Sequence, residues 1–249
     1  MPEEAQPVSA TPGERPGGVK PLRRWTLRAL LAAGFLLVGY NAWLFAQVWW
    51  LRGHNPSTTA FMEQGLDRLQ EKNPRARLQH RWVPYDQIST HLKRAVIAAE
   101  DQKFLDHEGF DFEEIEKAYE LNVKRGRVRR GASTISQQLA KNLFLSPQRS
   151  YLRKAEEAVI TGMIELLLSK RRILEIYLNV IEWGNGIYGA DAAARHYFAT
   201  SAASLDAAQS ARLAAMIPSP RFYDRRGVTP YLERRTEILF NQMDYVRVP

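Results

Sequence analysis

Residues 89–101 read STHLKRAVIAAED, and this stretch sets the pattern for most of the chain. Ser89 or Thr90 can act as an N-cap, because a short hydroxyl side chain accepts a hydrogen bond from a free N–H of the first helical turn. Behind the cap, apolar residues recur at helical spacing: Leu92, Ala95, Val96 and Ala99. The stretch therefore predicts a helix that ends in two carboxylates, Glu100 and Asp101.

The helical pattern continues on both sides of this stretch. Cap residues and apolar periodicity predict helices over 58–72, 111–124, 133–145, 190–198, 204–216 and 230–245, with two helices or one kinked helix over 150–180. Only 78–85 alternates enough to be considered as a strand. No internal repeat and no strand–helix alternation of a dinucleotide-binding fold is present in the sequence. We therefore expect a mainly α fold.

The composition limits the classes of function. Formal net charge is +8, which indicates an anionic partner, whether nucleic acid, phospholipid headgroups or a phosphorylated substrate. The chain has no cysteine, which excludes disulfides, thiolate metal sites and thiol nucleophiles. With 249 residues, it has room for one domain of ordinary size and a membrane anchor.

The segment before the helical domain is typical of a membrane span. No charged residue occurs between Ala29 and Leu51, which is long enough to cross a hydrocarbon core of about 30 Å. Tryptophans stand at its borders, and basic residues precede it, so the positive-inside tendency places the N-terminus in the cytoplasm. We predict a disordered cytoplasmic tail (1–24), an anchor (25–51) and an extracytoplasmic domain (52–249). A cleaved signal peptide and a buried soluble helix are the alternatives.

A first group of residues suited to acid–base chemistry follows the opening helix. It consists of Glu100, Asp101, Phe104, His107, Gly109 and Asp111. The apolar run before Glu100 predicts that this carboxylate is partly desolvated and that its pKa is raised, as suits a general base or acid. The alternative is that Glu100 and Asp101 are solvated residues at a helix end. A metal site on His107 is less favoured, since no second histidine stands at a ligand spacing nearby.

A second group lies at the start of another helix. It comprises Ser133, Thr134, Gln137, Gln138, Lys141 and Asn142, preceded by a basic run from Lys124 to Arg130. A helix N-terminus attracts anions and sugar hydroxyls, and the amides and the lysine add donors along one flank. Ser133 as an ordinary N-cap and the basic run as a solvated loop are the alternatives.

A third group is cationic. Arg149, Arg153, Lys154 and Glu157 have spacings that place Glu157 beside two bases on one helix side, where they could hold a diphosphate. An ordinary helix salt bridge is the alternative, and spacing alone does not distinguish Glu157 from Glu156.

Together these groups resemble glycosyltransferase family 51. The matching patterns are Glu100-Asp101-x-x-Phe104-x-x-His107-x-Gly109, Gly131-x-Ser133-Thr134-x-x-Gln137-Gln138-x-x-Lys141-Asn142, Arg153-Lys154-x-x-Glu157, Arg172–Asn179, and Gly186-x-x-Gly189-x-x-x-Ala193-Ala194-x-x-Tyr197-Phe198. The resemblance covers roughly 87–220, and five patterns in one order make coincidence improbable. Because no serine-x-x-lysine box follows, it implies the monofunctional type and not a bifunctional penicillin-binding protein.

The resemblance implies a lysozyme-like helical domain with a small membrane-associated jaw. It implies lipid II and the growing glycan strand as substrates, inversion at the anomeric carbon, and release of polyprenyl diphosphate. Glu100 would be the general base and Glu157 the second catalytic carboxylate, while the other matched residues and Arg149 would bind substrate. No cofactor is required, although Glu157 leaves room for a divalent cation, Mg or Mn.

The expected partners are the bilayer and other cell-wall synthesis or division proteins, with no nucleic acid. The expected location is the bacterial cytoplasmic (inner) membrane as a single-pass protein, its domain on the periplasmic or extracellular side. Two other functions stay open. A lytic peptidoglycan glycosidase also uses an essential glutamate, and a non-catalytic membrane-tethered binding protein would use the basic surface alone.

Overall fold

The computed structural model describes residues 20–124, 132–146, 148 and 150–249, with the backbone alone at 20–24 and 122. Over these residues the chain is mainly helical, as the sequence predicts. The helices are α1 (Lys20–Trp50), α2 (Ala60–Gln70), α3 (Thr90–Glu100), α4 (Phe112–Lys124), α5 (Ile135–Phe144), α6 (Tyr151–Leu167), α7 (Lys170–Val180), α8 (Ala190–Phe198), α9 (Ala207–Met216), α10 (Pro220–Arg226) and α11 (Pro230–Gln242).

Helix α1 contains a segment that is long and apolar enough to cross a membrane, Trp25–Trp50. Its large apolar side chains are exposed, as at Phe35. Helix α1 is described from Lys20, which lies inside the predicted tail. Residues 1–19 lie outside the described part of the chain. The division into tail, anchor and domain stays a prediction.

The chain divides into two compact units, with the boundary between Trp43 and Leu44. The second unit includes the last turns of α1, where Leu44 and Val48 are buried, and Leu51, which follows the helix and is also buried. Arg172 secures the residues that follow, since its guanidinium donates to the Leu51 carbonyl (2.8 Å) and to the His54 carbonyl (2.7 Å). The apolar run therefore ends inside the folded domain, where its last leucines become core residues.

Two helix groups build the core of the 44–249 unit. Helix α3 packs against α9 and α11, and α5 packs against α6 and α7. The largest fully buried side chains are Trp183, Tyr177, Tyr188 and Phe104. Hydrogen bonds from the Ile135 N–H to Asp101 and from Gln138 to Glu100 join the end of α3 to the start of α5, although more than thirty residues separate them in the sequence.

A small sheet lies at the edge of the helices. Strand β1 (Gln79–His80) pairs parallel with β3 (Ile187–Tyr188), which pairs antiparallel with β2 (Glu182–Gly184). The predicted strand over 78–85 is therefore reduced to two residues. Strands β2 and β3 were not predicted, because their glycines indicate a break in the pattern. Gly186 has a φ of +77° at the turn between them, and a Cβ there would stand 2.5 Å from Leu69 Cδ1.

The caps explain where the helices begin. Ser89 caps α3, and Thr134, not Ser133, caps α5. Ser150 and Ser169 cap α6 and α7, so the predicted long unit is two helices. Helix α10 was not predicted, because it has only seven residues and begins at a proline.

Candidate active site

Glu100 is the last residue of α3, and its side chain is only 12% exposed. Gln138 Nε2 donates to Glu100 Oε2 at 2.8 Å. The Tyr177 hydroxyl donates to Gln138 Oε1 at 2.9 Å, which leaves the amide nitrogen of Gln138 facing the carboxylate. Three elements, α3, α5 and α7, thus fix the position of this carboxyl group.

Burial raises the pKa of the Glu100 carboxyl above its ordinary value. The hydrogen bond from Gln138 and the charges of Arg235 and Lys141 oppose this effect without cancelling it, and the nearby Asp101 adds to it. The alternative that Glu100 is a solvated helix-end residue is therefore wrong. A carboxyl group with a raised pKa is suited to take up a proton during a reaction.

Arg235 is a residue of this site that the sequence did not reveal. Its Nη2 atom lies 3.9 Å from Glu100 Oε1, and its Nε atom is buried without a hydrogen-bond partner. No local pattern marks it, because it comes from α11, far along the chain. It helps to line a cavity of about 610 Å³ that opens beside the carboxylate, together with Glu100, Ser133, Gln138 and Tyr231.

Asp101 connects two segments next to Glu100. One carboxylate oxygen lies 2.9 Å from His107 Nε2, and the other accepts a hydrogen bond from the Ile135 N–H at 2.9 Å, at the start of α5. Phe104 is fully buried, and His107 Nδ1 accepts from the Gly109 N–H. Four of the residues predicted to bind substrate thus have their contacts inside the protein, where they support the loop after Glu100.

The residues of the second group divide into two kinds. Thr134 and Gln137 form a capping box on α5, and the Thr134 hydroxyl also donates to the Gly109 carbonyl at 2.7 Å. The Asn142 amide donates to the Gln138 carbonyl on its own helix at 2.7 Å, so it does not present a donor on the flank as we expected. Ser133 is exposed beside the cavity. The side chain of Gln137 thus belongs to the helix cap, and the side chain of Gln138 binds Glu100.

The third group surrounds a buried carboxylate. Glu157 is 3% exposed and pairs with Arg153, whose Nη1 lies 2.7 Å from Oε2, and with Lys154 through Oε1. Lys154 remains half exposed. Glu157, and not its neighbour Glu156, is therefore the carboxylate that pairs with both Arg153 and Lys154. Arg149 and the basic residues 125–130 lie outside the described residues.

Lys141, on α5, interacts with both Glu100 and the cationic cluster on α6. Its pKa is lowered by burial, and its ammonium interacts electrostatically with Glu157, Arg153, Lys154 and Glu100. A single cation that interacts with both clusters places them in one region of the protein. Lys141 therefore links the carboxyl group of Glu100 electrostatically to the cationic cluster on α6.

A divalent cation finds little support among the residues that the structure describes. They contain no group of three or more His, Cys, Asp or Glu side chains placed to hold a metal ion. Both oxygens of Glu157 already contact cationic side chains. The described residues therefore do not form a site that fits a metal ion.

The described chain is a helical domain with a mostly buried carboxyl group and a cationic cluster, and it follows an apolar helix long enough to cross a membrane. Comparison with known proteins gives the family. The transglycosylase family matches residues 67–244, and the chain belongs to that family. The biosynthetic peptidoglycan transglycosylase of Azoarcus sp. (strain BH72) is 61% identical over 231 residues, which cover 93% of this chain and 100% of that protein.

Two further relatives carry the same description. That of Methylobacillus flagellatus is 60% identical over 89% of this chain and 97% of its own length. That of Nitrosospira multiformis is 56% identical over 91% of this chain and 99% of its own length. The chain therefore matches these proteins over nearly their full length.

Proposed function

We propose that the chain is a peptidoglycan glycosyltransferase that polymerises lipid II into glycan strands. Family membership and its relatives' description support the activity. The observation that carries the proposal is that Glu100, a mostly buried carboxyl group, interacts with Lys141, which also interacts with Arg153 and Lys154. Glu100 can take up a proton, while the cationic side chains stabilise the negative charge of the departing diphosphate.

The reaction follows from these positions. Glu100 takes the proton of the GlcNAc 4-hydroxyl of lipid II while that oxygen bonds to the anomeric carbon of the growing strand. The bond from that carbon to the lipid diphosphate breaks on the opposite side, so the configuration inverts. The leaving oxygen keeps the electron pair, and Lys141, Arg153 and Lys154 stabilise its charge. Glu100 then passes its proton to solvent.

Glu157 would keep the cationic side chains of Arg153 and Lys154 in position to bind the diphosphate. Two cations held close together repel each other, and the buried carboxylate offsets that repulsion. Lys154 keeps half of its side chain exposed, which leaves it accessible to a phosphate. Phe104, His107, Gly109, Gln137 and Asn142 then act as supports. Asp101, Ser133, Thr134 and Gln138 line the cavity, and the first and third of these also have internal hydrogen bonds.

Two surfaces support an association with the bilayer. One is the apolar helix Trp25–Trp50. The other is a stripe on α4 formed by Phe112, Ile115, Tyr119 and Val123, which are all exposed and spaced by three or four residues. This stripe suits the membrane-associated jaw of the family. A substrate confined to the membrane would then meet an enzyme confined beside it.

We assign the N-terminus to the cytoplasm and the domain to the outer side of the inner membrane, on the basis of the basic residues before α1. Protease added to spheroplasts should therefore degrade the 52–249 domain without lysis. A domain that resists protease until the cells are lysed would contradict this orientation. Other cell-wall synthesis or division proteins remain proposed partners, and nucleic acid is excluded from the proposal by this topology.

The decisive assay uses purified, detergent-solubilised protein and labelled lipid II, with and without divalent cation. Growing glycan strands on a gel would support the proposal. Soluble fragments released from sacculi without strand synthesis would favour a lytic glycosidase. Binding of lipid II with no product would favour a tethered binding protein.

The raised pKa of Glu100 predicts a pH dependence in this assay. A general base must be deprotonated, so kcat should be highest above the pKa of Glu100 and fall as the pH decreases through it. Because burial raises that pKa, the loss should begin at a higher pH than for an ordinary glutamate. A rate that is constant from pH 7 to about pH 4.5 would contradict the role of Glu100.

A further inference from the structure

Glu165 and Lys170 are two charged residues that take no part in the reaction as described. Glu165 lies on α6, and Lys170 is the first residue of α7. Their ion pair is mostly buried: Lys170 Nζ lies 2.8 Å from Glu165 Oε1, and the side chains are 21% and 7% exposed. Burying two charges is costly unless other hydrogen bonds satisfy them, so their remaining contacts indicate their role.

Lys170 holds the loop that follows Glu100. Its Nζ atom also donates to the His107 carbonyl at 2.6 Å. The same ammonium lies 4.7 Å from the centre of the Phe104 ring, at a distance typical of a cation–π contact. Two points of the 101–111 loop are therefore attached to the start of α7.

Glu165 holds the start of α5. Its Oε1 atom accepts a hydrogen bond from the hydroxyl of Ser136, a fully buried residue in the first turn of that helix. Gln138, which contacts Glu100, follows two residues later, and Lys141 is one turn further on. The position of α5 relative to α6 therefore depends on this carboxylate.

The loop is also in close packing contact with α6. Gly109 has a φ of +88°, and a Cβ at this position would stand 2.8 Å from Thr161 Cγ2 and 2.9 Å from Glu165 Cγ. Glu157, Thr161 and Glu165 occur at intervals of four, so they share one face of α6 and span about 12 Å along its axis. The cationic cluster and the ion pair are thus carried by the same rigid helix.

We infer that the Glu165–Lys170 pair is a positioning device, which sets the distance from Glu100 to the group that stabilises the leaving diphosphate. It joins the loop after Glu100, the start of α5 and the face of α6 that bears Glu157. This inference rests on the proposed function. Glu165 and Lys170 would thus affect the rate of the chemical step without contacting the substrate.

The test is Lys170→Met, which keeps the length of the side chain and removes its donors. Loosening of the loop should lower kcat on lipid II about 10- to 100-fold, because misplacement of a reacting group by about 1 Å costs that much. KM should stay within about threefold, since no group that binds substrate is removed. Circular dichroism melts would verify that the variant is folded at the assay temperature.

The matched control is Lys93→Met. Lys93 is also a buried lysine over an aromatic ring, with Nζ 3.9 Å from the centre of Tyr85, and the charges with which it interacts, Asp86 and Arg171, are outside the 101–111 loop. We expect its kcat to stay within about twofold of wild type. A similar loss in both variants, or a folded Lys170→Met with kcat within about twofold of wild type, would overturn the inference.

Ser136→Ala provides a second test if Lys170→Met does not fold, because it removes one hydrogen bond and keeps the ion pair. Its kcat should fall about three- to tenfold, and an unchanged kcat would overturn the inference. Wild type and Glu100→Gln are measured in the same assay. A wild type that makes no strands would reject the proposed function itself, whereas an active wild type with insensitive Lys170 and Ser136 variants would reject only the positioning role.

Discussion

Glu100→Gln should abolish strand elongation while leaving the protein folded. The amide is nearly the same size as the carboxylate and can still accept the hydrogen bond from Gln138. It cannot take up the hydroxyl proton, and loss of a general base typically lowers a rate about 10²- to 10⁴-fold. The measurement is kcat on purified lipid II, with strand length followed by gel.

Stability provides the control for this variant. Burial raises the pKa of Glu100, so its charged form is disfavoured in the folded protein, and the stability linked to this group decreases as the pH rises through that pKa. A neutral glutamine removes this cost, so the melting temperature at pH 7 should be at least that of wild type. Near wild-type polymerisation would reject Glu100 as the base. A large fall in melting temperature would point to a structural role.

Glu157→Gln should give the second largest loss. The change removes the buried carboxylate between Arg153 and Lys154, so the two cations no longer have a common partner. A buried arginine that loses its partner is costly, and its position should change. We expect kcat to fall about 100-fold, because stabilisation of a developing charge depends on donors held in place before the reaction.

Glu156→Gln is the matched control for Glu157→Gln. It makes the same chemical change at the adjacent position, about 100° around the helix. We expect kcat within about twofold of wild type. Equal losses in the two variants would contradict the assignment of Glu157. A divalent cation that raises kcat of wild type but not of Glu157→Gln would indicate that Glu157 binds a metal ion.

The local pattern predicted the helices well because caps and apolar periodicity act over short distances. Ser89 caps α3 as its position predicted, and Ser150 and Ser169 cap the two helices that form the predicted 150–180 unit. The small sheet was largely missed, because β1 pairs with β3 more than a hundred residues away and each strand has only two or three residues. Such pairing depends on contacts that a local pattern does not contain.

The chain's sequence by itself determined a mainly helical protein with an apolar N-terminal helix, and it singled out Glu100, Lys141 and Glu157 through the order of their motifs. It also predicted that an apolar run would raise the pKa of Glu100. These properties depend on residue type and short spacing. Only the tertiary structure decided which polar side chains line the cavity and which form hydrogen bonds inside the protein.

Folding directs Asp101, Thr134, Gln137 and Asn142 into internal hydrogen bonds. It also brings Arg235 from α11 to within 3.9 Å of Glu100. The physical reason is that burial and partner choice depend on how α3, α5, α6, α7 and α11 pack together. Residues distant in the sequence then become neighbours, and their charges change one another's pKa.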